Sequence, residues 1–200
     1  MDQNLDIVGV AGLPRSGKDT VAGLLIQHNY YGFSFGDFIR RYSLERHKDK
    51  SDPISVANMT ETSNWLRETL GPDVVLQAAL KEFSDKQTAE TKYKGLVLYS
   101  VRAPVEVDWI LNHHGKLIWI EANEEIRYKR NIHNLRVGEA KISLEEFKRQ
   151  EALQWQPQPG VPAEAQMDLA YVKRKATITI SNNSDDVEAF KREAKKALGI

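Results

Sequence analysis

The chain has no cysteine among its 200 residues, which excludes disulfides, iron–sulfur clusters and thiol catalysis. It has no surplus of either charge, since 28 Lys and Arg balance 28 Asp and Glu. Without a net positive field, non-specific nucleic-acid binding is a poor candidate for its main task. The cluster Lys173-Arg174-Lys175 reads as a solvated face or part of an anion site. No apolar run approaches the length of a membrane span, and the opening Met1-Asp2-Gln3-Asn4 carries no signal-peptide pattern. The histidines, His28, His47, His113, His114 and His133, have no metal-ligand spacing. Internal repeats and low-complexity tracts are also lacking. The expectation is a soluble cytoplasmic protein of one domain over residues 1–200, long enough for a proper core, with neither nucleic acid nor membrane as partner.

What is present is a loop. The apolar run Ile7-Val8-Gly9-Val10-Ala11 leads into Gly12-Leu13-Pro14-Arg15-Ser16-Gly17-Lys18-Asp19-Thr20. A buried strand, a glycine-containing turn, a lysine and a helix form the layout of a P-loop. Glycines let the backbone curl so that several N–H groups face one phosphate. The following helix turns its positive end to the same place, and Lys18 adds a full charge for the outer phosphates. The pattern predicts nucleoside triphosphate binding by Gly12, Pro14, Arg15, Ser16, Gly17, Lys18, Asp19 and Thr20. The usual hydroxyl after the lysine is replaced by Asp19 and comes one residue later, at Thr20. Both are candidate magnesium-site residues. A carboxylate beside phosphates repels them, so Asp19 must face either magnesium or solvent.

Apolar runs recur along the chain with helical patterns between them. Strands are expected near 6–11, 32–35, 96–100, 117–121 and 176–181. Helices are expected near 19–28, 37–49, 60–70, 72–83, 103–113, 123–134, 143–154 and 184–198. Near-continuous apolar strands suit a parallel sheet buried on both faces. Asn123 is placed as an N-cap, and Ser143-Leu144-Glu145-Glu146 fits a capping box. The alternation predicts a three-layer α/β sandwich around a five-stranded parallel sheet. Two excursions break it, about 37–92 and about 133–165. Excursions at the carboxyl ends of parallel strands sit where ligands bind, so the first is placed as an acceptor-binding insert and the second as a lid. A merely connecting surface loop is the alternative for the second.

Gly36-Asp37-Phe38-Ile39-Arg40 follows the second strand. Gly36 permits a tight turn, Asp37 is placed as a helix cap, and Arg40 lies one turn on, where a guanidinium clamps a phosphate well. The third strand ends Tyr99-Ser100-Val101-Arg102. Residues 127–149 carry Arg127, Lys129, Arg130, His133, Arg136, Lys141, Lys148 and Arg149, the kind of mobile positive charge phosphoryl transfer uses. Arg127 and Arg130 share a helix face by their spacing.

These motifs, in this order, resemble the P-loop nucleoside monophosphate kinases. Gly-Lys-Asp-Thr looks like the loop of phage deoxynucleoside monophosphate kinases. Gly36-Asp37-x-x-Arg40 resembles the Ser-Thr-Gly-Asp-x-x-Arg stretch of adenylate kinases, with Phe35 in place of the threonine. Arg102 matches the arginine of Asp-Gly-x-x-Arg or Asp-Gly-Ile-Arg in adenylate kinases and in an archaeal adenylate-kinase-like or dephospho-CoA-kinase-like group. There Tyr99 replaces an aspartate that orients water on magnesium, and Ser100 replaces the glycine. The run Asn64–Glu68 also resembles the archaeal group. Arg67 within it is a second acceptor contact, or one half of an ordinary surface pair with Glu68.

The resemblance implies a magnesium- and ATP-dependent kinase that passes the γ-phosphoryl group to a small phosphorylated acceptor, foremost a nucleoside or deoxynucleoside monophosphate. It implies acceptor contacts from Asp37, Arg40, Arg67 and Arg102. It also implies catalytic charge from Lys18, Arg102, Arg130, Arg136 and Arg149, and a donor-base contact near Asn182. Two alternatives stand beside it. One is dephospho-CoA kinase, with Asp37 as general base for a ribose hydroxyl. The other is a nucleotide-binding regulatory protein without turnover, suggested by Tyr99. Trp65, Trp109, Trp119 and Trp155 fit either core or ligand stacking.

Overall fold

The structure is a computed structural model that describes residues 5–87, 92–135, 139–155, 160, 162 and 166–200. Five strands form one parallel sheet: β1 (Asp6–Gly12), β2 (Tyr30–Ser34), β3 (Gly95–Val101), β4 (Lys116–Glu121) and β5 (Ile178–Ser181). Their order across the sheet is β2-β3-β1-β4-β5. All five fall where the apolar runs place them.

The strands are apolar on both sides because the sheet is covered on both. Ile7, Ala11, Leu96, Leu98, Leu117 and Trp119 point into one core layer. Val8, Val10, Val97, Ile118 and Ile120 point into the other. This is strand alternation with both faces dry. The second layer is closed by α1 (Lys18–Gln27) and α9 (Val187–Leu198) through Val21, Leu24, Leu25, Phe190 and Ala194. The first is closed by α2 (Phe35–Arg46), α3 (Val56–Leu70), α4 (Val74–Lys86), α5 (Pro104–Asn112) and α8 (Leu169–Lys175). Two more helices, α6 (Glu124–His133) and α7 (Leu144–Trp155), lie between β4 and α8 in the chain. The expected three-layer α/β sandwich is the fold observed.

Helix starts differ from expectation where a polar side chain competes for the first turn. Ser34 Oγ accepts from Asp37 N at 3.1 Å, so α2 begins at Phe35 and Asp37 lies in its first turn instead of capping it. Asp186 accepts from Ala189 N at 2.9 Å and delays α9 to Val187. Ser143 caps α7 as its motif predicts, accepting from Glu146 N at 3.1 Å. Asn123 stands at the N-cap of α6 but makes no capping bond with its side chain. Helix α8 has no counterpart among the expected elements. Seven residues are too few for a clear period, and Lys173-Arg174-Lys175 hides the buried Leu169 and Val172. Lys173 pairs with Glu121 at 2.9 Å over the ring of Trp119, a surface role.

Candidate active site

A cavity of about 530 Å³ lies where the strands end at their carboxyl side, bounded by the loops after β1, β2, β3 and β5 and by α3, α6 and α7. This is the side of a parallel sheet on which ligands bind.

The loop between β1 and α1 forms one end. Its curl uses positive φ at Gly12 (149°), Arg15 (64°) and Gly17 (105°). At Gly12 a Cβ would come within 2.7 Å of the Ile120 carbonyl oxygen, and at Gly17 it would run into the side-chain amide of Asn182. Neither position admits another residue without displacing β4 or Asn182. Ser16 N donates to Leu13 O at 3.2 Å and tightens the turn. No side chain caps α1, the arrangement in which a helix N-terminus seats an anion. Lys18 is nearly buried and its Nζ donates to Leu13 O at 3.3 Å. Asp19 and Thr20 line the cavity beside it.

The back of this loop is held by residues far away in sequence. Asn182 Nδ2 donates to Ser16 O at 2.7 Å. Arg130 Nη2 donates to Asn182 Oδ1 at 3.2 Å and to Ser184 O at 2.7 Å, and Nη1 to Arg15 O at 3.4 Å. Burial holds the Arg130 guanidinium below the usual arginine range, with Asp185 opposing the shift. Arg15 donates through Nε to Asn131 Oδ1 at 3.0 Å and forms an ion pair with Glu139.

Three arginines from three elements also line the cavity as a group: Arg40 of α2, Arg67 of α3 and Arg102 after β3. Arg40 forms an ion pair with Asp37 one turn earlier. Arg67 is 4% exposed, bonds Ser63 Oγ, and donates to Glu106 Oε1 at 2.6 Å. Its Nε is buried without a hydrogen-bond partner. Glu106, 1% exposed, joins this wall to the sheet. Its second oxygen accepts from Arg102 N at 2.8 Å and Ala103 N at 3.0 Å. Arg102 donates to Gln154 of α7, and its carbonyl accepts from Asp168 N at 2.9 Å.

Desolvation pushes Arg102 down to about 10. Glu106 and Asp19 oppose that shift, and the charges of Arg67 and Arg40 add to it. A wall of like charges withdrawn from water favours an entering anion. The lining also has apolar members, among them Phe35, Ile39, Ile54, Met59, Phe147 and Met167.

The fold thus gathers Pro14, Arg15, Gly17, Lys18, Asp19, Thr20, Asp37, Arg40, Arg67, Arg102, Arg130 and Asn182 around one cavity. Gly12 and Ser16 shape the loop from below, outside the lining. Arg149 does not join them. It lies mostly exposed on α7, paired with Glu146 at 2.8 Å. Arg136 lies outside the described residues, as does most of the 156–165 stretch of the expected lid. Arg127 and Arg130 diverge despite their spacing, because Arg127 is buried against Glu151 of α7 and the Ala122 carbonyl. Arg67 is paired with Glu106 and not with Glu68. Tyr99 packs with the α1-side core instead of lining the cavity. No tryptophan lines it either among the described residues.

Sequence reasoning missed Glu106 and Gln154. Pro104 followed by Glu106 is a helix-start pattern that was there to find. Gln154, a buried polar residue on an otherwise polar helix, leaves no local signal.

The residues at the head of α1 suit magnesium in one respect. That ion in phosphate sites keeps water and takes few protein ligands, and Thr20 with Asp19 supplies oxygen at the loop. Among the described residues no group of three or more His, Asp or Glu side chains is placed to hold a metal by itself.

Residues 8–153 match the family described as AAA domain. A UPF0200 protein of Pyrobaculum aerophilum is 25% identical over 196 residues, 97% of each chain. A UPF0200 protein of Methanococcus vannielii is 25% identical over 127 residues, 63% of this chain and 65% of that protein, so the match spans just under two thirds of that relative. Among solved structures, TT1252 from Thermus thermophilus superposes with a TM-score of 0.60 at 21% identity, covering 98% of this chain and 96% of the other. Shikimate kinase from Acinetobacter baumannii, in complex with shikimate, gives 0.52 at 14% identity over 98% and 92%. The chain belongs to the AAA domain family, and it shares its fold with TT1252 and shikimate kinase.

Proposed function

We propose that this AAA-domain protein is a magnesium- and ATP-dependent kinase whose acceptor is a small phosphorylated molecule, foremost a nucleoside or deoxynucleoside monophosphate. One observation carries the reading. One cavity is lined both by the glycine loop with Lys18 and by Arg40, Arg67 and Arg102 from three other elements. A donor needs only the loop. A second wall of partly desolvated arginines calls for a second anion.

Phosphoryl transfer asks the protein for position and charge more than for covalent chemistry. Lys18 and the loop N–H groups hold the donor phosphates. Arg40 and Arg102 hold the acceptor phosphate, whose own oxygen is the nucleophile, so no side-chain base is required. Arg67 stiffens that wall through Glu106 and presents its unpartnered Nε. Arg130 keeps the loop and the segment after β5 in register, and Arg136 and Arg149 belong to the proposed lid. Asp19 and Thr20 would hold magnesium, which when bound neutralises phosphate charge. The charge of Asp19 also bears on Arg102 and opposes the fall in its pKa. Residues 37–92 serve as the acceptor-binding insert, and 133–165 as a lid that excludes water.

The test is ADP production from magnesium-ATP with a panel of nucleoside and deoxynucleoside monophosphates and dephospho-CoA. Turnover on the order of 1–100 per second with one monophosphate is expected. A response to dephospho-CoA alone promotes Asp37 to general base. Binding of ATP with no acceptor-dependent ADP replaces the kinase by a nucleotide-binding protein without turnover.

A further inference from the structure

Four described residues other than glycine have left-handed backbone: Arg15 (φ 64°), Asn29 (66°), Ser100 (65°) and His114 (58°). Two have a structural reason. Asn29 and His114 directly follow the C-caps of α1 and α5, where chains commonly reverse in this conformation, and both types tolerate it better than most. The other two line the cavity. Arg15 belongs to the loop that seats phosphate. Ser100 does not, and its conformation needs its own account.

Ser100 is also where the ladder breaks. Tyr99 pairs with Val10 and Val101 with Ala11, so Ser100 is the extra residue of a bulge on β3. Bulges re-aim side chains beside active sites. Here the residue is 8% exposed and lines the same cavity as Lys18, Asp19 and Arg102. The opposing chain makes room for it. A Cβ on Gly36 would come within 3.3 Å of Ser100 Oγ, so Gly36 and Ser100 fit as a pair. Glycine would hold the same backbone without strain. A serine stands there instead, at an energetic cost, in a cavity that Arg40, Arg67 and Arg102 also line.

We propose that Ser100 is a substrate-contacting residue whose hydroxyl donates a hydrogen bond to the phosphate of the acceptor, beside Arg102 and beneath Gly36. The proposal rests on the kinase reading above and adds a specificity-determining residue to it. The strained backbone aims the hydroxyl, so affinity and stability pull in opposite directions at this position.

The experiment compares wild type, Ser100→Ala and Ser100→Gly, with the loop filled by magnesium and a non-hydrolysable ATP analogue. AMP, GMP, dCMP and dTMP are titrated separately by calorimetry, and Tm is measured alongside. The monophosphate that binds wild type is expected to bind both variants about tenfold more weakly, with affinity for the ATP analogue unchanged. Ser100→Gly is expected to raise Tm and Ser100→Ala to leave the strain in place. Unchanged monophosphate affinity in both variants overturns the proposal and leaves the kinase reading standing. A lower Tm for Ser100→Gly overturns the strain argument. A wild type that binds the ATP analogue and none of the four monophosphates overturns the proposal together with the reading beneath it.

Discussion

The two ends of the cavity are built by different means. At the proposed donor end the loop is one run of nine consecutive residues, 12–20, and the distant Asn182 and Arg130, which also line the cavity, hold it in place. At the proposed acceptor end each arginine comes from a different element, and a buried carboxylate at Glu106 binds two of them together. A local loop can be written into one stretch of sequence and used in any parallel sheet. A wall of buried cations cannot, because each charge needs a partner that folding delivers from elsewhere.

This contrast predicts that the acceptor end is bound up with stability and the donor end is not. Glu106→Gln leaves Arg67 buried without its counter-charge. It should cost about 3–5 kcal/mol and lower Tm by roughly 10 °C in a chain of this size, read by urea and thermal unfolding. Lys18→Ala should lower turnover or triphosphate affinity by about 10²–10³-fold with a much smaller change in Tm. If Lys18→Ala unfolds the protein more readily than Glu106→Gln, the contrast is broken.

Arg40→Ala sharpens it, since Arg40 forms an ion pair with Asp37 within its own helix turn and its removal takes a guanidinium from the cavity lining. It should raise the acceptor KM by an amount equivalent to about 1.5–3 kcal/mol, with kcat and donor binding little changed. An equal effect on donor binding would merge the two ends into one site.

The smallest effect concerns Asp52, in the connection between α2 and α3. Burial raises its pKa, and the nearby charge of Glu139 raises it further. Its Oδ1 is buried without a hydrogen-bond partner. A raised folded-state pKa means that the neutral form is favoured by folding, and that stability is lost as pH rises through the folded value. Asp52→Asn should therefore raise Tm at pH 7 by on the order of 1 °C. The two melting curves should converge below pH 3.8, the ordinary value for the group, where wild type is also neutral. A difference that persists at pH 3 would assign the effect to packing.

The pattern of success along the chain follows the same physics. The three central strands were legible because a sheet dry on both faces there demands near-continuous apolar residues, as in Leu96-Val97-Leu98. The loop was legible because its glycines and lysine are contiguous. Helix α8 was not, since its two buried residues, Leu169 and Val172, sit in a short basic segment. Arg67 was legible only as a residue with two fates. Nothing near it announces Glu106, 39 positions on.

By itself the sequence determined the parallel sheet, its layers and the glycine loop after β1, because period, apolar runs and glycine spacing act over a few residues. Tertiary structure alone decided which arginines face the cavity. Arg127 and Arg130 share a helix face, yet one is buried against Glu151 and the other reaches the loop at Arg15. It also decided that Ser100 turns inward. Charge and strain are tolerated inside a protein only where the surrounding chain holds a partner or a contact for them, and those partners meet only in the folded state.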